Sequence, residues 1–280
     1  MVTTAACRSS HRSAPPSPSI TISQDATGPR EAGANPEPTT EPSPQDAGTA
    51  TDRSMLVPPP CAPSREINRM HPTLIGALKE PSSRLVGASV QATDPELAAS
   101  VDDLLARPLR WRQDRFVDEW RTLPMPFRSQ AALEITCKHL FARKYLVSVG
   151  CEVYEHLAGA HPNIGYIATN LWTCGARPTP IAIEAICDAS CKQGLFEMVA
   201  RTLEASGKGD IARSLREETE EGEDVFQTFV VSKAGLTFSF RDSLPHVFSE
   251  AGMVEIDFDK LDAIMDKSAT YRMLRDVARS

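Results

Sequence analysis

Tyr154-Glu155-His156-Leu157-Ala158 and, further on, Ser206-Gly207-Lys208-Gly209-Asp210-Ile211-Ala212 lie inside the stretch that decides the reading of this chain, residues 133–218. Short apolar segments follow one another there, broken by Gly and Pro. Val153, Tyr154 and Leu157 are spaced to turn inward from one helix. Ile164, Ile167, Ala168 and Leu171 share a second face, and Ile181, Ile183, Ala185 and Ile186 a third. Leu195, Met198, Val199 and Leu203 form the next stripe, and Ile211, Ala212 and Leu215 the last. Spacings of three and four residues are those of a helix face. Before them, a helix starting near Ser129 takes in Ala132, Ile135, Leu140 and Leu146 and is closed by Gly150. No period-two alternation is read in this stretch. The expected fold class is therefore all-α, without a sheet.

Upstream, Asp94 suits an N-cap and Pro95 the first helical position. Leu97, Val101, Leu104 and Leu105 follow at helical spacing, and Pro108 should end that helix. A second is expected over Gln113 to Leu123, stopped by Pro124 and Pro126. Together they make an N-terminal helical segment, residues 95–132. Aromatic residues begin only at Trp111, which places the start of the folded unit near residue 95 and makes 66–94 a linker. Residues 1–65 hold 12 of the 22 prolines and many Ser, Thr, Ala and Gly, so a disordered tail is expected. The acids of 217–224 mark a solvated helix end or linker. Residues 219–280 are read as a helical extension packed on the centre. Leu236 to Phe240 alternates briefly there, and strand, helix and loop stay open for it.

The net charge of −7 argues against general affinity for nucleic acid or an anionic membrane. No apolar run reaches the length of a membrane span, so a soluble chain is expected. Seven cysteines in no regular framework suggest free thiols, a reducing compartment and a cytoplasmic setting. Residues 1–20 contain no acid, which suits a presequence or secretion signal as well as a plain tail, and the tail is favoured.

Candidate chemistry is sparse. His156 and His161 are five apart with Pro162 next, which breaks the four-residue helical spacing a zinc pair needs. Cys187 and Cys191, with Cys174, are read as small buried residues rather than metal ligands. A cysteine nucleophile could be drawn from Cys137, Cys151 or Cys174 with His139, His156 or His246, but no local signature surrounds them. Lys208 between two glycines is turn chemistry. Arg107, Arg110, Arg112 and Arg115 flank Trp111, a pattern that binds single-stranded nucleic acid in some proteins and is read here as helix-end arginines beside a core Trp. No metal and no cofactor is expected.

Residues 133–218 resemble the death-fold superfamily. The resemblance rests on Tyr154-x-x-Leu157-Ala158, on the pair Ile164 and Ile167, and on Pro178-Thr179-Pro180. It is completed by Gly207-x-Gly209-Asp210-Ile211-Ala212-x-x-Leu215. Tyr154 stands where that family carries tryptophan in its second helix, and the tryptophan of its fourth helix is absent. The resemblance implies a six-helix bundle that is not an enzyme and assembles through charged faces. Those faces would use Arg177, Asp188, Lys192, Arg201, Lys208, Asp210 and Arg213. The implied role is an adaptor in signalling of the apoptotic or innate-immune kind, with another death-fold chain or a second copy as partner. Neither membrane nor nucleic acid is expected as partner. The alternative is a secreted effector-type enzyme with a cysteine nucleophile and a disordered N-terminal secretion signal.

Overall fold

Leu133, Ile135 and Cys137 alternate with Glu134, Thr136 and Lys138, and this period-two run is the first half of a strand, not a helix. The computed structural model describes residues 61–280 apart from Ala158, Ala160, residues 221–224 and residues 245–251. Six strands lie side by side in chain order: β1 (Ile67–Leu78), β2 (Ser82–Ala92), β3 (Ala132–Arg143), β4 (Leu146–His156), β5 (Asn163–Trp172) and β6 (Thr179–Pro180). β2 and β3 run parallel, joined by the crossover helix α1 (Pro95–Thr122) and the single turn α2 (Met125–Arg128). The other neighbours are antiparallel.

β4 decides where the layers go. Its residues 146–151 are all buried, which requires cover on both faces of the sheet. Val147, Val149, Cys151 and Val153 meet Leu97, Val101, Leu105, Leu109 and Phe116 of α1 in one core. The opposite face receives the C-terminal half. That half comprises α3 (Ile183–Ile186), α4 (Ala189–Ala205), α5 (Gly209–Glu220), a small sheet β7–β8–β9 (Phe229–Val231, Gly235–Ser239, Met253–Asp257), α6 (Phe258–Met265) and α7 (Ala269–Arg279). Its core gathers Leu195, Leu203, Leu215, Phe238, Phe258 and Tyr271, with Leu146 of the large sheet among them. Phe226 stands edge-on to Phe196, Phe238 and Phe240, the favoured arrangement of buried rings.

The two sheets are joined by hydrogen bonds as well as by apolar packing. Ser239 N donates to Thr228 O and Ser232 N to Gly235 O, so the even-numbered residues of β7 face β8. Phe229 O and both backbone groups of Val231 therefore turn outward, towards the large sheet. Asn170 Nδ2 donates to Phe229 O at 2.8 Å, Val231 N donates to Ser148 Oγ at 2.7 Å, and His139 Nε2 donates to Val231 O at 2.8 Å. Ser148 Oγ in turn donates to Asn170 Oδ1 at 2.7 Å. Three adjacent strands thus satisfy an edge that would otherwise be buried unpaired.

These observations overturn the all-α expectation and the six-helix bundle. Of residues 133–218, the first half is β3, β4 and β5, and only α4 and α5 keep the expected stripes. Tyr154 lies on β4 and is 44% exposed, so it is not a core residue. The supposed linker 66–94 carries β1 and β2, whose Ile67, Leu85 and Val90 belong to the core. Their aliphatic and β-branched residues build that core without aromatics. The Asp94 cap holds, accepting from Glu96 N and Leu97 N, but α1 runs through Pro108 instead of stopping. An interior proline costs about 3 kcal/mol. Leu105, Leu109 and Phe116 are each nearly fully buried on either side of it, at about 1.5–3 kcal/mol apiece, which outweighs that cost. In the C-terminal segment, the helix expected from Val225 is β7 and Leu236 to Phe240 is mostly β8, while α6 and α7 match expectation closely. Most of the expected tail, most of the helix expected over 243–250, and part of the acidic run lie outside the described residues.

The expected free thiols are also corrected. Cys61 pairs with Cys174, Cys137 with Cys151 and Cys187 with Cys191, across sequence separations of 113, 14 and 4. Cys7 lies outside the described residues.

Candidate binding cleft at the edge of β5

β6 pairs with only the last two residues of β5, Leu171 and Trp172, and Ile181 N then donates to Asn170 O. Among the described residues, no strand lies beside β5 over 163–169 on the side away from β4. The even-numbered residues turn their backbone groups that way, as the contacts of Tyr166 N and Asn170 O show. Asp242 Oδ2 accepts from Tyr166 N at a long 3.5 Å. The N–H and C=O of Ala168 and the C=O of Tyr166 face outward, with no backbone partner among the described residues.

Above this edge, α1 presents Pro108, Trp111 and Arg112. Val153, Gly165 and Ile167 form the floor, Asp242 closes one side, and the cleft holds about 170 Å³. Trp111 is 60% exposed, with the Arg115 guanidinium over its ring at 6.0 Å. Arg112 Nε donates to Glu155 Oε2 at 2.9 Å, and the Glu155 side chain is only 5% exposed. That buried pair fixes the guanidinium at the mouth. A Cβ on residue 165 would stand 2.7 Å from Asp242 Oδ1, so glycine is what lets the carboxylate reach the strand. Burial pushes the Asp242 carboxyl up, and the Tyr166 N–H, Arg112 and Arg241 pull it partly back. Its outer side is open to water, which limits the shift. On the opposite face of the sheet, Tyr166 packs its hydroxyl over Gly150, where a Cβ would lie 1.9 Å away. Burial pushes the phenol up to about 12, and Arg241 sits over its ring at 5.9 Å.

The cleft offers outward backbone donors and acceptors, one aromatic face, one cation and one carboxylate. That set can bind and orient an extended chain. The arginines flanking Trp111 are matched by acids: Arg107 and Arg110 by Asp103, Arg115 by Glu119, and Arg112 by Glu155.

The residues expected to form charged docking faces do not converge here. Asp188 caps α4, and Lys192 in its first turn pairs with Glu184. Arg201 sits towards the far end of α4, with its Nε on Glu197 O. Lys208 precedes α5, and Asp210 pairs with Arg213 within it. Arg177 is exposed on the β5–β6 connection. Along α4, Lys192 and Arg201 stand roughly 13 Å apart at 1.5 Å per residue. His156 bonds Gln130 O through Nδ1 and Gly159 O through Nε2, both backbone acceptors. Cys137, Cys151 and Cys174 are each disulfide-bonded, so each would need reduction before serving as a nucleophile, and His246 lies outside the described residues. Trp111 and Arg112 stand out in the sequence, whereas Gly165 and Asp242 do not and are brought to them only by the fold.

No family model matches the chain, and no curated protein matches it. Among solved structures it is similar to a member of the DUF3298 family from Bacteroides fragilis, with a TM-score of 0.52 and 15% identity over 77% of this chain and 100% of that one. A DUF3298 family protein from Pseudomonas aeruginosa PAO1 matches with a TM-score of 0.44 and 12% identity, over 70% of this chain and 91% of that one. At such identity the first likeness bears on the fold alone. It agrees with a mixed architecture built on a large sheet, and with that sheet the death-fold resemblance falls.

Proposed function

We propose that this chain is a recognition module that takes an extended polypeptide along the open edge of β5 in an oxidising compartment. The observation that carries the reading is the open edge at 164–168 beneath the exposed indole of Trp111. Strand addition draws affinity from main-chain hydrogen bonds and specificity from alternate side chains. Outward groups of Tyr166 and Ala168 supply the first, and the cleft under Trp111, between Arg112 and Asp242, supplies the second. The protein partner expected from the sequence is kept, but its docking surface moves from the helical charges to a strand edge. Three disulfides favour an extracytoplasmic setting over the cytoplasmic one.

Selection of a displayed random-peptide library against the full chain tests this. Selected peptides should slow amide exchange at residues 164–168 and lose binding in Trp111→Ala. Ala168→Pro should weaken them too, because it removes an outward N–H that has no backbone partner among the described residues. Peptides that leave 164–168 unprotected and bind both variants unchanged would overturn the reading.

A further inference from the structure

The three disulfides differ in what they hold. Cys61–Cys174 anchors the start of the described chain beside the end of β5, and Cys137–Cys151 bridges β3 and β4 inside the α1 core. Cys187–Cys191 joins residues only four apart in sequence, at the corner between α3 and α4. A loop that short restrains the unfolded chain least of the three. The pair also forms part of the wall of a cavity of about 900 Å³, which includes Ala185 on its own side and Lys267, Ser268 and Thr270 of the α6–α7 corner opposite. Cys187 is 2% exposed, whereas Cys191 is half-buried. Cys191 occupies the third position of the 17-residue helix α4, and its N–H donates to the capping Asp188 at 2.9 Å. Thiolates are stabilised at such helix starts.

We propose that Cys187–Cys191 is a thiol–disulfide exchange site whose substrate is a dithiol entering through this cavity. One thiolate of the dithiol attacks Sγ of Cys191, the more exposed residue of the pair. The Cys187–Cys191 bond breaks as the mixed disulfide forms, and the Cys187 thiolate leaves and takes a proton from water. The second thiolate of the dithiol then attacks its own mixed-disulfide sulfur and expels the Cys191 thiolate from the first turn of α4. The dithiol leaves oxidised to a disulfide, and the protein holds two thiols. Both remaining disulfides stay closed, so the opening is confined to the α3–α4 corner.

Stepwise dithiothreitol titration of the full chain, trapped with N-ethylmaleimide and mapped by mass spectrometry, tests the order. Cys187 and Cys191 should be labelled while Cys61, Cys137, Cys151 and Cys174 remain paired and the far-ultraviolet dichroism is unchanged. Another pair opening first, or labelling only as the dichroism is lost, overturns the proposal. Single variants probe the direction of attack. Cys191 in Cys187→Ser should react with iodoacetamide about tenfold faster than Cys187 in Cys191→Ser, since reactivity follows exposure and thiolate character. Equal rates would remove the assigned entry sulfur.

Discussion

On one face of the large sheet, α1 covers Val147, Val149, Cys151 and Val153 mainly through apolar side chains. On the other face, β7 is held by His139, Ser148 and Asn170 through hydrogen bonds to its backbone. Apolar burial is not directional, and at the first joint, on the α1 face, position is fixed by Asp102, which accepts from Ser89 Oγ and Val90 N of β2, and by Gln113, which donates to Ser83 Oγ. The second joint has one register. Sliding β7 by one residue would turn Phe229 O and the groups of Val231 towards β8 and leave three polar side chains facing the wrong atoms. Both faces bury an apolar core, and the second adds hydrogen bonds that fix where β7 sits.

The largest effect is expected at the apolar joint. Phe116 is fully buried in the α1 core. Phe116→Ala should cost about 3–5 kcal/mol, measured by urea unfolding. A loss under about 1 kcal/mol, the size of an ordinary exposed-site change, would mean that α1 is not the adhesive element. Next comes a charged contact on that face, between Arg112 and Glu155. Arg112→Ala would strand Glu155, whose side chain is 5% exposed. Removing one partner of a buried pair costs about 3–5 kcal/mol, and the partial exposure of Arg112 places this case at the lower end. Replacing both residues together, as Arg112→Leu with Glu155→Leu, should recover most of the loss. If the double variant is no better than the single one, the cost is lost packing rather than a stranded charge.

The polar half is sharpened by Asn170→Ala. It leaves Phe229 O without its donor and Ser148 without its acceptor, at about 1–3 kcal/mol. The distinctive readout is local. Amide exchange at 229–231 should speed up more than exchange in α1. A uniform increase across the chain would mean that the hydrogen bonds do not govern how β7 is seated.

How far the sequence revealed this division depends on the residue. The Asp94 cap, the stripes of α4 and α5 and the two last helices were legible because their signals are local. β3 carries a legible signal, since Leu133 to Lys138 alternates, but Ala132 and Ile135 also stand at a helical spacing of three. β4 was not legible by periodicity, since a strand buried on both faces reads as a continuous apolar run. Ile164, Ile167, Ala168 and Leu171 fit a helix stripe by coincidence, while in β5 neighbouring members alternate between faces. Of the cleft, Trp111 and Arg112 stood out for composition. Gly165 and Asp242 lie 77 residues apart and meet only because the chain after β8 passes the edge of β5.

The smallest expected effect belongs to that meeting point. Burial disfavours ionised Asp242, so its folded-state pKa stands above the unfolded one. The folded chain then binds that proton more tightly, and the stability this contributes is complete below the unfolded pKa, about 3.9 for aspartate. It is lost as pH rises through the folded-state value. Asp242→Asn carries no such proton. The stability of the parent chain relative to this variant should therefore fall between about pH 3 and pH 6, read from urea midpoints at each pH. The Tyr166 N–H and the two arginines oppose the shift, and the open outer side screens it, so the slope should be shallow. A relative stability that rises over the same interval would mean that Arg112 and Arg241 outweigh burial. In that case the carboxylate is a poised anion, and the cleft would select a cationic residue in the bound strand instead of tolerating a neutral one.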